Sequence, residues 1–351
     1  MGSGLDTPNR AVLCFATMGG HTGRRRGLIA IVVVSIIAAA CSSPHSAGSA
    51  ATSNTPDMSV NSGAPVASTG CSSPASVSVT QLRQNVTVDG VQRWYLLTTP
   101  TTHKGAPLPV VVDLHGLSEG ATLEAITTQF SSKAIANDFI VVFPQGTGNP
   151  VGWDIDPSTR AHPNHDIDFM NAMLDRLEEQ VCVDKSRIYA TGLSDGALFT
   201  SLLACTMTNR FAAFAPVAGV VMPAPCSPTH PVAILAFHGT ADPTLPFNGG
   251  TPGTTPPPVD LHGSGYPANV QAWARKDHCN PNSTDTPVTT HVILRTYRCP
   301  PGAAVAFYII LGGGHAWPGS EFSAINGPST FEINATDLIW AFFHRHRLVA
   351  S

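Results

Sequence analysis

The sequence predicts an α/β protein built on a mostly parallel, doubly wound sheet with helices on both faces. Short continuous apolar runs alternate with helical patterns over residues 71–351, and loops rich in glycine or histidine follow several of the runs. Continuous apolar runs suit strands that are buried on both faces. Regular alternation of such strands with helices favours a parallel sheet.

Each predicted element rests on its own pattern. The predicted strands are rich in β-branched or aromatic residues and cover 109–114, 139–143, 187–191, 214–218, 232–237 and 304–311. The predicted helices cover 122–137, 166–180, 195–206, 269–276 and 335–344. In the second helix, Ile167, Met170, Leu174 and Leu177 recur at helical spacing. Ligands of such sheets bind beyond the C-terminal ends of the strands, so the loops there are the candidate site.

Composition excludes several classes of protein. Of the 351 residues, 43 % are hydrophobic and 12 % are charged, which is enough apolar surface for a core and argues against disorder. The 19 basic and 23 acidic residues form no basic cluster beyond the N-terminus, so we expect no nucleic-acid partner. Only one extended apolar run is present, and it is short, which argues against a polytopic membrane protein.

The N-terminus is predicted to be an export signal. Residues 1–40 contain a triple arginine followed by an apolar run that ends in small residues, as in secretory signals. The small residues before Cys41 resemble a bacterial lipobox, which implies lipidation of Cys41 and a membrane anchor; ordinary cleavage near Ala40 is the alternative. Residues 41–70 consist almost entirely of small and polar residues, as in a flexible tether. One folded domain, 71–351, is then expected outside the cell or at its envelope.

The cysteines of this domain support export. Six remain beyond the signal region, and an even number in an exported chain suggests three disulfides. Fifteen pairings are possible; short spacing favours Cys205–Cys226 and Cys279–Cys299, which leaves Cys71–Cys182. Their spacing is unlike that of zinc ligands.

A nucleophile motif follows one predicted strand. Residues 192–196 read Gly-Leu-Ser-Asp-Gly between a strand and a helix, which is G-x-S-x-G. A serine on a sharp strand-to-helix turn needs small neighbours and exposes its hydroxyl above the sheet. Taken alone the motif is a weak signal, and a plain turn serine is the alternative, so the flanking strand and helix decide in favour of Ser194 as a nucleophile.

Two further residues at strand ends are candidate catalytic partners of Ser194. Asp242 lies in a loop after the fifth apolar run, and His315 follows three glycines after the sixth. Ser194, Asp242 and His315 thus occur in the Ser-Asp-His order of α/β-hydrolases. An early strand followed by His115-Gly116 is where such enzymes place an oxyanion donor.

We therefore expect the backbone N–H groups of Leu117 and Asp195 to form the oxyanion hole, and His115 to be structural. Trp153 and Trp317 are candidates to line a substrate pocket by stacking on rings, with packing as the alternative for each. The acidic stretch 162–168 begins a helix and needs no metal to explain it. We expect no metal and no organic cofactor.

The domain resembles the esterase/polyhydroxybutyrate-depolymerase family of α/β-hydrolases, which is related to carbohydrate esterase family one with its feruloyl and acetylxylan esterases. The matching motifs span nearly all of 71–351; they are VVDLHG, FPQG, VDKSRIYATGLSDG, FAPVAG, HGTADPTLPFNGG and GGGHAWPG, together with Trp273 and Cys279. The resemblance implies a Ser194–His315–Asp242 triad. Two positions depart from the family pattern, Asp195 and Leu117, and an acidic Asp195 beside the nucleophile would disfavour anionic substrates.

These observations predict a serine esterase that hydrolyses carboxylic esters through an acyl-enzyme. The expected substrates are feruloyl or acetyl esters of plant polysaccharide, or short polyhydroxyalkanoate esters. A serine peptidase of the same fold is an alternative, since acyl transfer serves amides too. A catalytically silent binding module at the cell surface is another.

Overall fold

The structure is a computed structural model that describes residues 63–72, 78–100, 105–155, 165–251, 258–323 and 327–348. Within those ranges it contains a ten-stranded sheet. In chain order the strands are β1 (Val79–Val88), β2 (Val91–Thr99), β3 (Leu108–Leu114), β4 (Ile140–Pro144), β5 (Val183–Leu193), β6 (Ala213–Val217), β7 (Ala233–Gly239), β8 (Ser283–Pro287), β9 (Val292–Tyr297) and β10 (Ala304–Ile310). The helices are α1 (Ala121–Thr128), α2 (Phe130–Asn137), α3 (His165–Gln180), α4 (Asp195–Thr206), α5 (Tyr266–Lys276) and α6 (Ala335–Phe343).

The six inner strands confirm the predicted parallel sheet. The strand order is β1-β2-β4-β3-β5-β6-β7-β10-β9-β8. The six inner strands, in the spatial order β4-β3-β5-β6-β7-β10, pair in parallel. Each of them coincides with one predicted apolar run. Alternate residues of β3 enter two apolar clusters, one containing side chains of α3, α4 and α5 and the other those of α1, α2 and α6. Helices therefore cover both faces, which explains why these strands read as continuous apolar runs.

Two antiparallel pairs at the sheet edges lie outside the predicted strands. β1 pairs with β2 at one edge and β8 with β9 at the other. Half-buried and exposed residues mix along β1, and four of the five residues of β8 are exposed. A strand with a solvated face carries polar residues, so these strands lack the apolar run that identified the inner ones.

The predicted helix 122–137 is two helices in the structure. α1 ends at Thr128 and α2 begins at Phe130, because Gln129 adopts a left-handed backbone with φ 55°. Such a conformation interrupts the helical hydrogen-bond pattern and lets the chain change direction. The other four predicted helices are present, and α5 begins three residues earlier than predicted, at Tyr266.

The predicted end of the tether, at residue 70, is wrong. Ala67 forms a β-bridge with Asp184, and the backbone N–H of Val66 donates to a carboxylate oxygen of Asp184 at 3.0 Å. The Ser68 hydroxyl donates to the Val181 carbonyl at 2.9 Å. Residues 63–70 thus belong to the folded domain, held by polar contacts that their composition did not reveal. The predicted signal (1–40), Cys41 and the tether up to residue 62 lie outside the described residues.

All three predicted disulfides are present. Cys71 is bonded to Cys182, Cys205 to Cys226 and Cys279 to Cys299. Disulfides of this number are typical of proteins in an oxidising compartment, so they indicate an extracellular protein. Among the described helices, none is both long and apolar enough to span a membrane.

Candidate active site

Ser194 stands on a sharp turn at the end of β5. It is the residue between β5 and α4, and its backbone has φ 57° and ψ −115°. A Cβ atom at Gly192 or Gly196 would overlap the carbonyl oxygen of Leu114 in the neighbouring strand β3. The two glycines therefore let the turn approach β3, and the strained serine backbone is the geometry expected of a nucleophile elbow.

The predicted oxyanion donors are the backbone N–H groups of Leu117 and Asp195. Asp195 is the first residue of α4, so its N–H has no partner within the helix. Leu117 is in the loop after β3, with its side chain 54 % exposed. Within the described part of the chain, neither N–H donates a hydrogen bond. Both are thus available to bind an oxyanion, and the positive end of α4 adds to the attraction.

Asp242 and His315 are hydrogen-bonded to each other. Asp242 follows β7 and His315 follows β10, the neighbouring strand. The Nδ1 atom of His315 lies 2.8 Å from Oδ2 of Asp242. The other carboxylate oxygen accepts the backbone N–H groups of Thr244 and Leu245 at 2.8 and 2.7 Å. The carboxylate is thereby fixed in orientation and in turn fixes the imidazole, which leaves Nε2 as the free ring nitrogen.

His238 is a second imidazole at this carboxylate, and the sequence analysis missed it. Its Nε2 lies 3.3 Å from Oδ2 of Asp242 and 2.8 Å from the carbonyl oxygen of Leu245. Its ring stacks on Tyr266, with the ring centroids 3.8 Å apart. His238 opens the motif that contains Asp242, so its position in that motif was the available signal.

The environment of Asp242 favours its ionised form. Burial acts to raise its pKa, but the hydrogen bonds and charges of His238 and His315 outweigh burial and hold the pKa well below its ordinary value. Asp242 therefore carries a negative charge over the whole range in which an imidazole changes its protonation state.

His315 also approaches the nucleophile turn. It lines a small cavity together with Leu193, the residue before Ser194, and with Glu119 and Phe322. In the described part of the chain the Ser194 hydroxyl makes no hydrogen bond. Catalytic hydrogen bonds often form only when substrate is bound, so a Ser194–His315 hydrogen bond stays a prediction.

Glu119 is a further residue of this site that the sequence analysis missed. Its Oε2 accepts the backbone N–H of Gly116 at 2.9 Å, which closes the loop that carries Leu117. Burial raises the pKa of Glu119, while the Gly116 N–H and the charge of His315 lower it in part. Nothing local in the sequence distinguishes this glutamate, because its role depends on the fold of the loop.

The structure favours packing, the alternative role considered for Trp153. Its side chain is 7 % exposed and lies parallel to Phe199, with ring centroids 5.2 Å apart. Its indole N–H donates to the His115 carbonyl at 2.9 Å, and its backbone N–H donates to Asp195 Oδ2 at 2.8 Å. Trp153 is therefore a packing residue that holds the loop after β4 against the nucleophile helix.

The hydrogen bond from the Trp153 backbone N–H also changes the interpretation of Asp195. Its carboxylate is bonded to the Trp153 loop, where burial raises its pKa. The side chain therefore acts as a structural acceptor, which weakens the expectation that Asp195 repels anionic substrates.

Packing is likewise favoured for Trp317. Only 1 % of it is exposed, and its indole N–H donates to the Thr336 hydroxyl at 3.0 Å. Its ring packs edge-on against Phe130. Although it lies two residues from His315, its ring packs against residues of α2 and α6.

His115 is structural, as expected. It is fully buried, and its Nε2 accepts the backbone N–H of Gly146 at 2.9 Å. Nδ1 therefore carries the proton and donates to the Gly116 carbonyl at 2.8 Å. Burial lowers the pKa of this imidazole, so it links two loops as a neutral ring.

One group of potential metal ligands occurs among the described residues. Atoms of Asp89, His165 and Asp168 lie within 4.8 Å of one another. All three are exposed or half-buried, with His165 and Asp168 at the start of α3 and Asp89 in the turn between β1 and β2. Carboxylates stabilise a helix N-terminus without any metal.

No family model matches the chain. The chain is 30 % identical to "Putative esterase NocK" of Nocardia uniformis subsp. tsuyamanensis over 341 residues, which cover 90 % of this chain and 96 % of that protein. It is 29 % identical to feruloyl esterase B of Piromyces equi over 225 residues, 62 % of this chain but only 40 % of that relative's length. An acetyl xylan esterase from Aspergillus awamori has the same fold, with a TM-score of 0.53, 15 % identity, and coverage of 75 % of this chain and 99 % of that one.

The fold and these similarities define an esterase of the α/β-hydrolase fold, a carboxylic ester hydrolase. The chain belongs to the family of the NocK esterase, which is related to the feruloyl and acetylxylan esterases.

Proposed function

We propose that this esterase hydrolyses feruloyl or acetyl esters of plant polysaccharide through a covalent acyl-enzyme. Ser194 is the nucleophile, His315 the general base and acid, and Asp242 the residue that orients the imidazole. The backbone N–H groups of Leu117 and Asp195 bind the oxyanion.

In the first half of the reaction Ser194 Oγ attacks the ester carbonyl. His315 accepts the hydroxyl proton at Nε2, because its Nδ1 is bonded to Asp242. The ionised Asp242 stabilises the imidazolium that forms and keeps the ring in its working tautomer. His315 then gives the proton to the departing alcohol, and the acyl group remains on Ser194.

In the second half, water attacks the acyl-enzyme with His315 again acting as base. Both tetrahedral intermediates carry a negative oxygen, which the two N–H groups stabilise. Loss of one such donor typically costs about 3 kcal/mol of barrier. Release of the acid returns the proton to Ser194.

The observation that carries this mechanism is the buried Asp242–His315 hydrogen bond beside the nucleophile turn. The bond is 2.8 Å long, and Ser194 has the positive φ of a nucleophile-elbow serine. A plain turn serine has no reason to coincide with a histidine whose tautomer is fixed in this way.

The substrate class is supported by the relatives. Feruloyl esterase B from Piromyces equi and an acetylxylan esterase/xylanase from Neocallimastix patriciarum both match the chain, and each name states an ester found on plant polysaccharide. Since the match covers 40 % and 20 % of those relatives, their substrates enter here as a proposal.

A panel of substrates tests the proposed function. We expect hydrolysis of methyl ferulate and acetylated xylan, and no cleavage of a peptide of matched size. Ser194→Ala removes this activity, whereas the matched variant Ser132→Ala on α2 retains it. Turnover of hydroxybutyrate oligomers alone would overturn the substrate class, and cleavage of peptides but not esters would identify a peptidase.

We also propose that the protein is held at the cell envelope by a lipid on Cys41. The supporting observation is the run of small residues before this cysteine. Fractionation of the wild type should place the esterase in the membrane, and Cys41→Ala should release it. Equal release of both proteins into the medium would contradict the anchor.

A further inference from the structure

A large groove lies at the end of the sheet away from the candidate active site. Its volume is about 690 Å³, within the range of small-molecule binding sites. The loop after β9 and the first residues of β10 form one wall, with the start of β8 and His346 nearby. Ser194, Asp242 and His315 follow the opposite ends of their strands. The seven residues of β10 separate the groove from the loop of His315 by about 20 Å at ~3.3 Å per residue.

His346 brings an unpartnered nitrogen to this groove. The residue is 7 % exposed, and within the described residues its Nε2 atom has no hydrogen-bond partner. The ring packs against Phe342, with centroids 4.4 Å apart. A buried polar nitrogen without a partner costs free energy, which a ligand that bonds it would recover.

His346 is also neutral at ordinary pH. Burial and the positive charges of Arg345 and His344 lower its pKa to about 4. A neutral imidazole nitrogen bonds a hydroxyl group as acceptor or donor, depending on its tautomer. This nitrogen therefore suits an uncharged ligand.

Apart from Arg298, the rest of the lining is also uncharged. The polar residues are amides, hydroxyls and one arginine: Asn280, Asn282, Ser283, Thr284, Thr296, Tyr297 and Arg298. Among the described lining residues there is no carboxylate. Tyr297 pairs with Ser283 across the β8–β9 ladder and contributes a half-buried aromatic ring. The adjoining Pro300 and Pro301 add rigid apolar surface.

We propose that this groove is a second binding site for a neutral oligosaccharide, separate from the ester site. Sugars combine hydroxyl groups with apolar C–H faces. Amide and hydroxyl side chains bond the former, and an aromatic ring packs on the latter. Insofar as the oligosaccharide is part of the polysaccharide substrate, the inference rests on the proposed function. A site here would hold the enzyme on the polymer while esters on the same or a neighbouring chain enter at the other end of the sheet.

The test measures binding and catalysis separately. Isothermal titration of the full-length protein uses xylohexaose as the neutral probe and a galacturonic acid hexamer as the charged one. The exposed variants Asn282→Ala and Arg298→Ala change the groove without entering the core, and His346→Phe replaces the orphan nitrogen by a ring of similar shape. Asn85→Ala, exposed on β1 at the opposite edge of the sheet, is the matched control.

We expect each groove variant to raise the dissociation constant for xylohexaose at least about fivefold, and Asn85→Ala to leave it unchanged. Hydrolysis of 4-nitrophenyl acetate should remain at the wild-type rate in all four variants. The proposal would be overturned if the wild type did not bind xylohexaose or bound only the charged hexamer. It would also be overturned if Asn282→Ala and Arg298→Ala bound xylohexaose as tightly as the wild type. Because titration requires no turnover, these outcomes are independent of whether the esterase proposal itself fails.

Discussion

Two groups of buried carboxylates lie near the C-terminal ends of the central strands, and they are bonded in opposite ways. Asp242 receives two backbone N–H groups and contacts two imidazoles. Asp113, at the end of β3, and Glu124, on α1, are fully buried. The Thr128 hydroxyl donates to Oδ2 of Asp113 at 2.6 Å, and the carboxyl groups of Asp113 and Glu124 also interact with each other.

The difference shows how partners decide the charge of a buried acid. Burial acts to raise the pKa in both groups, but hydrogen bonds and imidazoles reverse its effect at Asp242. At Asp113 and Glu124 burial prevails and raises both pKa values, and the neighbouring Asp113 charge raises that of Glu124 further. The partners of Asp242 thus keep that carboxylate ionised, whereas burial without such partners favours the protonated form of Asp113 and Glu124.

The largest expected effect is on catalysis, when the charge of Asp242 is removed. Asp242→Asn keeps the shape of the side chain but removes the charge that orients and stabilises the imidazole. We expect kcat on 4-nitrophenyl acetate to fall about 10⁴-fold in a protein whose circular dichroism is unchanged. Asp337→Asn, an exposed aspartate on α6, should retain full activity. A loss of less than tenfold at Asp242 would mean that this carboxylate is structural.

The protonated group should control stability instead of catalysis. In the wild type the free energy of unfolding falls as the pH rises from about 4 towards 7, because native Asp113 keeps a proton that the unfolded chain has released. Asparagine cannot ionise, so the free energy of unfolding of Asp113→Asn should fall less over this pH range. The expected difference from the wild type is on the order of 3 kcal/mol. Denaturant titrations of both proteins between pH 4 and 8 measure the difference. Parallel pH curves would show that Asp113 is ionised in the native state.

Glu119 is intermediate between the two groups, because burial raises its pKa while a hydrogen bond and an imidazole lower it in part. Glu119→Ala removes the acceptor of the Gly116 N–H, so the loop of Leu117 loses its closure. We expect kcat/KM to fall about tenfold. Glu119→Gln keeps an acceptor oxygen and should retain most of the activity, so an equal loss in both variants would assign the effect to the charge near His315 and not to the loop.

Sequence reasoning succeeded where a local pattern carries the structure. The inner strands are continuous apolar runs, and the turn at Ser194 is specified by Gly192 and Gly196 within five residues. Asp242 and His315 were predicted from their positions at strand ends and the Ser-Asp-His chain order of α/β-hydrolases, and they meet because β7 and β10 are neighbours in the sheet. The disulfide pairs followed from spacing.

Sequence reasoning was wrong or silent where the outcome depends on distant partners. Trp153 and Trp317 are near the site in sequence, but Phe199 and Phe130 determine that their rings are buried. The orphan nitrogen of His346 and the protonated Glu124 have no local signature either, because burial and the absence of partners arise only from the packed fold. Gln129 divides a predicted helix by a left-handed backbone that its residue type does not announce.

The central claim is that Ser194 is an activated nucleophile served by His315. A fluorophosphonate probe, followed by peptide mass spectrometry, tests it most directly, because the probe reacts only with a serine made nucleophilic by its neighbours. We expect the label on the peptide that contains Ser194, and its loss in both Ser194→Ala and His315→Ala with the proteins still folded. Labelling at another serine, or none in the folded wild type, would contradict the mechanism.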